Sequence, residues 1–309
     1  MKKTKLIVLT LTVAMALALF GACSNTTASA TSSDTATSGS SSGATSSAEP
    51  VQASGGDKMC IRDRFYSMSV TRDRAEVWRD IVFLWAAAIN NRVHYKQKVE
   101  DAYLAIIQKY TKDEQERIAE MLAIVAADMV RDPEQDFLGG FYMAERLGNP
   151  RRGQYFTPYD VADMMGRITL GTAGAEMKRK GYITVNDPAC GSGVMLLAGA
   201  NCLRRQKIGV ESNVLFVGQD IETGIGLMAY VQLSLAGCPG YVVIGDSLSE
   251  PLTGNVLKAP DNAWVTPAYH TFIFKHVWGG TDYADRIRPG QYSRAECCEA
   301  GSIDAGVRG

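Results

Sequence analysis

The sequence predicts an open α/β fold preceded by a helical bundle, with a disordered segment ahead of both. Three observations carry this. First, three short apolar runs, "YITVND", "NVLFVGQD" and "YVVIGD", each end in an aspartate and are separated by helical stretches, the alternation expected of a parallel sheet. Second, from Arg72 the apolar residues recur at three- and four-residue spacing. Third, "TTASATSSDTATSGSSSGATSSAEP" carries almost no large apolar side chain and cannot bury enough surface to offset its ordering entropy.

The bulk numbers suit such a fold. The chain has 309 residues, 46% of them hydrophobic and 21% charged, ordinary for a protein that forms a core. Its net charge of −1 gives no overall basic field, so contact with nucleic acid would need a local patch or a partner subunit. The cysteines Cys23, Cys60, Cys190, Cys202, Cys238, Cys297 and Cys298 form no CxxC pair and no Cys/His ligand set. Neither a structural metal nor a disulfide framework is expected, and the main body reads as reduced and cytosolic.

Residues 1–23 have a basic start at Lys2, Lys3 and Lys5, an apolar run from Leu6 to Phe20, and small residues before Cys23. That is the build of a secretory signal, and the small residues ahead of the cysteine resemble a bacterial lipobox, implying lipidation at Cys23. Residues 24–64 follow as a Ser/Thr-rich tether and a seam. Lys58–Arg64, "KMCIRDR", back-translates to a string containing AGATGTGTATAAGAGACAG, which resembles the transposase mosaic end used in sequencing libraries. The export signal and the body are therefore read as two joined sequences, with a membrane partner only where the signal is genuine.

Residues 65–150 are expected to be helical. Val77, Trp78, Ile81, Leu84, Trp85, Ala88 and Ile89 mark one buried face, and Val99, Tyr103, Ile106, Ile107 and Tyr110 another. Thr111 with Glu114 is a capping box that opens a third helix, with Ile118, Met121, Leu122, Val125 and Met129 on its inner side and Pro133 as its stop.

The chemistry-bearing motifs lie in residues 151–278. In "GQYFTPYDVADMM", Thr157 is placed to cap a helix starting at Pro158, with Val161, Met164, Met165 and Ile168 as its apolar face. "NDPACGSG" forms a glycine-containing turn between a strand and a helix, where a ligand can approach the backbone closely. Asp220, at the end of the second strand, is placed to accept hydrogen bonds from a ribose diol, and Asp246 ends the third.

"GQYFTP", "NDPACGSG", "GQDI" and "GDSL", in that order, resemble the N6-adenine DNA methyltransferases, and most of all the modification-subunit type of type I restriction systems and relatives on mobile elements. The resemblance runs from about Arg72 to Trp278 and implies a Rossmann-like S-adenosylmethionine methyltransferase sheet, here incomplete. It implies S-adenosyl-L-methionine as cofactor, DNA as substrate and a separate specificity subunit, since no segment resembles a target-recognition domain. Carried onto this chain, it assigns Asp187, Pro188, Gly191 and Gly193 to the methionine end of the cofactor, with Phe156, Thr157 and Pro158 closing over them. Asp220 would hold the ribose, Ile221 would pack on the adenine ring and Asp246 would accept from the adenine amino group.

The family's Asn/Asp-Pro-Pro-Tyr/Phe motif is missing. Its nearest equivalent is Thr266-Pro267-Ala268-Tyr269, which makes Thr266, Pro267 and Tyr269 the candidate catalytic residues; the same stretch also reads as a loop bearing a surface tyrosine. "HTFIFKHVW" reads as one more strand, and residues 279–309 show no periodicity and read as disordered or misjoined. Three functions remain open at this point: an adenine-specific methyltransferase, truncated or degenerate; a non-catalytic cofactor-binding subunit of a modification or phage-defence complex; and an exported lipoprotein with a binding role.

Overall fold

The structure, a computed structural model, describes residues 56–148, 155–251 and 262–277. The signal segment with Cys23, the tether up to residue 55 and the tail 279–309 lie outside the described residues.

Helix α1 (Gly56–Met68) begins inside the stretch expected to be tether and seam. Ile61 and Phe65, one helical turn apart, are both 0% exposed, and Arg64 pairs with Glu120 at 2.9 Å. Lys58–Arg64 is therefore helix, and the tether gives way by Gly56 rather than at residue 64.

Helices α2 (Arg74–Val93), α3 (Gln97–Ile107) and α4 (Lys112–Arg131) form the expected bundle. Every inward-facing residue read from the periodicity is buried, with Ile106 half-buried. Asp73 caps α2 through the Glu76 N–H, and the reciprocal Thr111–Glu114 capping box opens α4. Trp85 donates its indole N–H to the Ile118 carbonyl at 2.8 Å, fixing α2 on α4 and satisfying a polar group that burial would otherwise penalise.

The bundle does not stand apart from the sheet. α5 (Phe137–Ala144) brings Phe141 into a 4.8 Å stack with Trp78, and the Trp78 indole N–H points at Met228 Sδ, 3.4 Å away. Met228 lies on α10 (Thr223–Leu235), which is buried from Ile225 to Leu235 all the way round. A helix apolar on every side needs cover on every side. Here the sheet covers one flank and α2 the other, so bundle and sheet share one hydrophobic core.

The sheet has the order β1 (Ile183–Asp187), β2 (Val214–Asp220), β3 (Gly240–Ile244), β4 (Ala263–Val265). β1, β2 and β3 are parallel; β4 runs antiparallel to β3, with Tyr241 opposite Val265 and Val243 opposite Ala263. The connections α8 (Val194–Arg205) and α10 step the same way across the sheet, so right-handed crossovers set both on one face. Strand alternation agrees: Phe216 and Val242 join the main core, while Leu215 and Tyr241 point to the other face and pack with Val265 and Tyr269.

One expectation fails here. The described part of "HTFIFKHVW" lies in helix α11 (Tyr269–Val277), not in a strand. Tyr269, Phe272, Ile273 and His276 fall at helical spacing, and Phe272 and His276 stack 4.7 Å apart. The three strands read from the sequence are parallel as expected, and β4 adds a fourth that reverses direction.

α6 (Tyr159–Leu170) turns its predicted face outward. Val161, Met164, Met165 and Ile168 are 42–76% exposed, whereas Ala162 and Gly166 are buried against α8. A side chain built at Gly166 would stand 3.6 Å from the Ala198 carbonyl, so the two backbones approach on the small residues. Thr157 does not cap this helix: Pro158 occupies the cap position with no side-chain bond. α7 (Ala173–Lys180) and the single turn α9 (Val210–Asn213) lead into β1 and β2.

Candidate functional site

A cavity of about 530 Å³ opens at the carboxyl ends of β1 and β2, a size ordinary for small-ligand sites and the edge where open α/β sheets gather ligands. Its floor is the turn Asp187–Gly193. Cys190 N–H donates to the Gln219 carbonyl and Gly191 N–H to Asp220 Oδ2, both at 2.9 Å, which seats the turn on the tip of β2. Gly193, which opens α8, has φ +95°, and a Cβ there would lie 3.1 Å from the Ala229 methyl, so both backbone conformation and space call for glycine.

Of the residues assigned to a cofactor, the cavity brings together Phe156, Thr157, Asp187, Gly191, Asp220 and Ile221. Tyr155, Ala189, Cys190, Ser192, Val194, Met195, Glu222 and Ile225 complete the wall. Pro158, Pro188 and Gly193 shape its turns without lining it. Asp246 is not among the described lining residues: it lies two residues beyond β3 and accepts the Leu248 N–H in a solvent-exposed turn that lowers its pKa.

The electrostatics of the wall are one-sided. Among the described residues Asp187, Asp220 and Glu222 line it, and no lysine or arginine does. Burial holds the Asp187 carboxyl above its ordinary pKa; the Ala189 N–H opposes this and the charge of Asp220 adds to it. Asp220 accepts from Gly191 N–H through one oxygen and from Glu222 N–H through the other, which fixes its orientation and leaves lone pairs for a ligand. Burial, with the nearby negative charges of Asp220 and Asp187, pushes the Cys190 thiol well up, so it is a neutral wall group and not a nucleophile. Val194 and Met195, the first residues of α8, line the same space, so the positive end of that helix lies at the cavity.

This donor set fits S-adenosylmethionine. Carboxylates suit an ammonium, a sulfonium and a ribose diol, and a helix N-terminus suits the one carboxylate. A polyphosphate would meet three acids and, among the described residues, no cation.

The candidate catalytic residues lie elsewhere. Thr266 is fully buried; its hydroxyl accepts from Gly240 N–H at 2.9 Å and donates to the Cys238 carbonyl at 2.8 Å. Gly240 begins β3, and the cavity lies past the far ends of the strands, about 13 Å along at ~3.3 Å per residue. Tyr269 is buried edge-on to Tyr241, and Pro267 sits in the turn between β4 and α11. The cause is the antiparallel course of β4, which carries this tetrapeptide away from the cavity. Nor is it a loop with a surface tyrosine.

Residues 137–276 match the family model described as N-6 DNA Methylase, from α5 through α11. That match supports the DNA methyltransferase family, and DNA methyltransferase activity in general, for this part of the chain. No curated protein and no solved structure matches the chain. Among the described residues no group of three or more His, Cys, Asp or Glu could hold a metal ion, and no helix is long and apolar enough to cross a membrane.

Proposed function

We propose that the cavity binds S-adenosylmethionine and that the chain serves methyl transfer to the N6 amine of adenine in DNA. The observation that carries the reading is the wall of three carboxylates, Asp187, Asp220 and Glu222, over a glycine turn, inside the segment that matches the DNA methylase family. In this reading Asp187 and the start of α8 hold the methionine end, Asp220 holds the ribose, and Ile221, 72% exposed at the rim, packs on the adenine ring. The bound cofactor supplies an electrophilic methyl group. The protein's own part is to orient it and to keep water from its wall. A target adenine has to leave the duplex to reach the cavity mouth, and with a net charge of −1 the chain relies on a partner specificity subunit to hold DNA.

One observation favours a second reading, a non-catalytic cofactor-binding subunit: Thr266, Pro267 and Tyr269 face away from the cavity. Incubating the full chain with methyl-labelled S-adenosylmethionine and adenine-containing DNA, with and without a specificity subunit, separates the two. Label on adenine N6 is the expected result. Cofactor binding with no label under either condition selects the second reading.

A further inference from the structure

The glycine turn is held from behind as well as from the front. Ser192, 0% exposed in the middle of the turn, donates its hydroxyl to Asp136 Oδ2. Gln232, also 0% exposed, donates its amide to Asp136 Oδ1 at 2.8 Å and to the Ser192 carbonyl at 2.9 Å. Asp136 accepts in addition from the Gly139 N–H at 2.9 Å, capping α5, while the Gln232 carbonyl oxygen accepts from Leu138 N–H at 3.1 Å. Three side chains from three separate segments, with the Ser192 carbonyl and the Leu138 and Gly139 N–H groups, are thereby satisfied among themselves. The cluster lies directly beneath Gly191, which Asp220 holds from the cavity side.

The arrangement leaves no room for substitution beside it. A Cβ on Gly139 would fall 2.0 Å from Asp136 Oδ2 and 2.5 Å from Ser192 Oγ. A simple helix cap needs neither the serine contact nor a glycine at that position. What the extra bonds fix is the path of the Ser192 backbone, and with it the direction of the N–H groups at the start of α8.

We propose that Asp136, Ser192 and Gln232 are positioning residues for the cofactor pocket: a buried polar clamp that sets the glycine turn for the methionine end of the ligand and ties its geometry to the helical lead-in. The inference rests on the cofactor reading above. A partly broken buried network is costly, because every remaining member loses a partner, so the clamp holds as a unit.

The test compares two ligands on the full chain by calorimetry. S-adenosylmethionine needs both halves of the pocket, whereas adenosine needs only Asp220 and Ile221. Ser192→Ala should weaken S-adenosylmethionine about tenfold or more and leave adenosine within twofold. Asp136→Asn, whose amide can still donate to Ser192 Oγ, should recover much of the affinity that Asp136→Ala loses, and it guards against an alanine variant that fails to fold. Unchanged affinity for both ligands, or an equal loss for both, overturns the clamp. Wild-type protein that binds adenosine but not S-adenosylmethionine overturns the cofactor reading itself, a distinct result.

Discussion

Thr266 shows how far a single residue's role depends on where its strand runs. Its hydroxyl closes the start of β3 by serving Gly240 N–H and the Cys238 carbonyl, both away from water. Thr266→Val keeps the shape and removes both bonds, which should cost about 1–3 kcal/mol of stability. Chemical denaturation should register that loss while affinity for S-adenosylmethionine stays the same; full stability with lost methyl transfer would return Thr266 to the chemistry. The position of Asp187 and Asp220 at the ends of their strands was legible because a strand, a glycine turn and a helix start are written locally in "NDPACGSG" and "VGQDI". Strand direction is not local: nothing in "AWVTPAY" says that it pairs antiparallel with β3. The Asp136–Gln232 bond spans 96 residues and was invisible for the same reason, although a lone glutamine in the apolar run "GLMAYVQLSLAG" was a signal that could have found it.

Among the helices, α6 is one whose apolar pattern points to the wrong face. Its large apolar residues repeat at helical spacing, yet the helix packs through Ala162 and Gly166, because small residues allow a closer approach to α8 than methionines do. Substituting Met164→Gln and Ile168→Gln together should therefore change stability by no more than about 0.5 kcal/mol per site, measured as a urea midpoint. A loss of several times that would place the stripe in the core. The inner faces of α3 and α4 were legible because Val99, Tyr103 and Ile107, and Ile118, Met121, Leu122 and Val125, repeat at helical spacing. By contrast, α2 is buried almost all round from Val77 to Asn90, more widely than its spacing predicts. α10 was legible as buried from its composition alone, and only the structure shows that α2 provides its second cover.

At the scale of the whole molecule, the shared core makes bundle and sheet one folding unit, so protons taken up at the bundle–sheet seam weigh on the entire chain. Two of its three histidines, His94 and His270, are pushed below the ordinary value of 6.5, His94 by burial and then by the charges of Lys96 and His270, His270 by burial alone. The unfolded chain then binds protons more readily than the native one, so stability is complete above about pH 6.5 and falls as pH drops through the lowered native values. Urea midpoints at pH 7.5 and 5.5 should fall with acid for the wild type and fall less for a His94→Gln, His270→Gln double variant; equal slopes would show that the histidines are not the cause.

The account as a whole turns on the charge of the cavity wall, where Asp187, Asp220 and Glu222 face a ligand with no opposing cation among the described residues. Calorimetric titration of the full chain with S-adenosylmethionine and, separately, with ATP tests it most directly. S-adenosylmethionine should bind, ATP should not at the same concentrations, and Asp220→Ala should weaken the former about tenfold or more. Preference for ATP, or an Asp220→Ala affinity equal to that of the wild type, would contradict it.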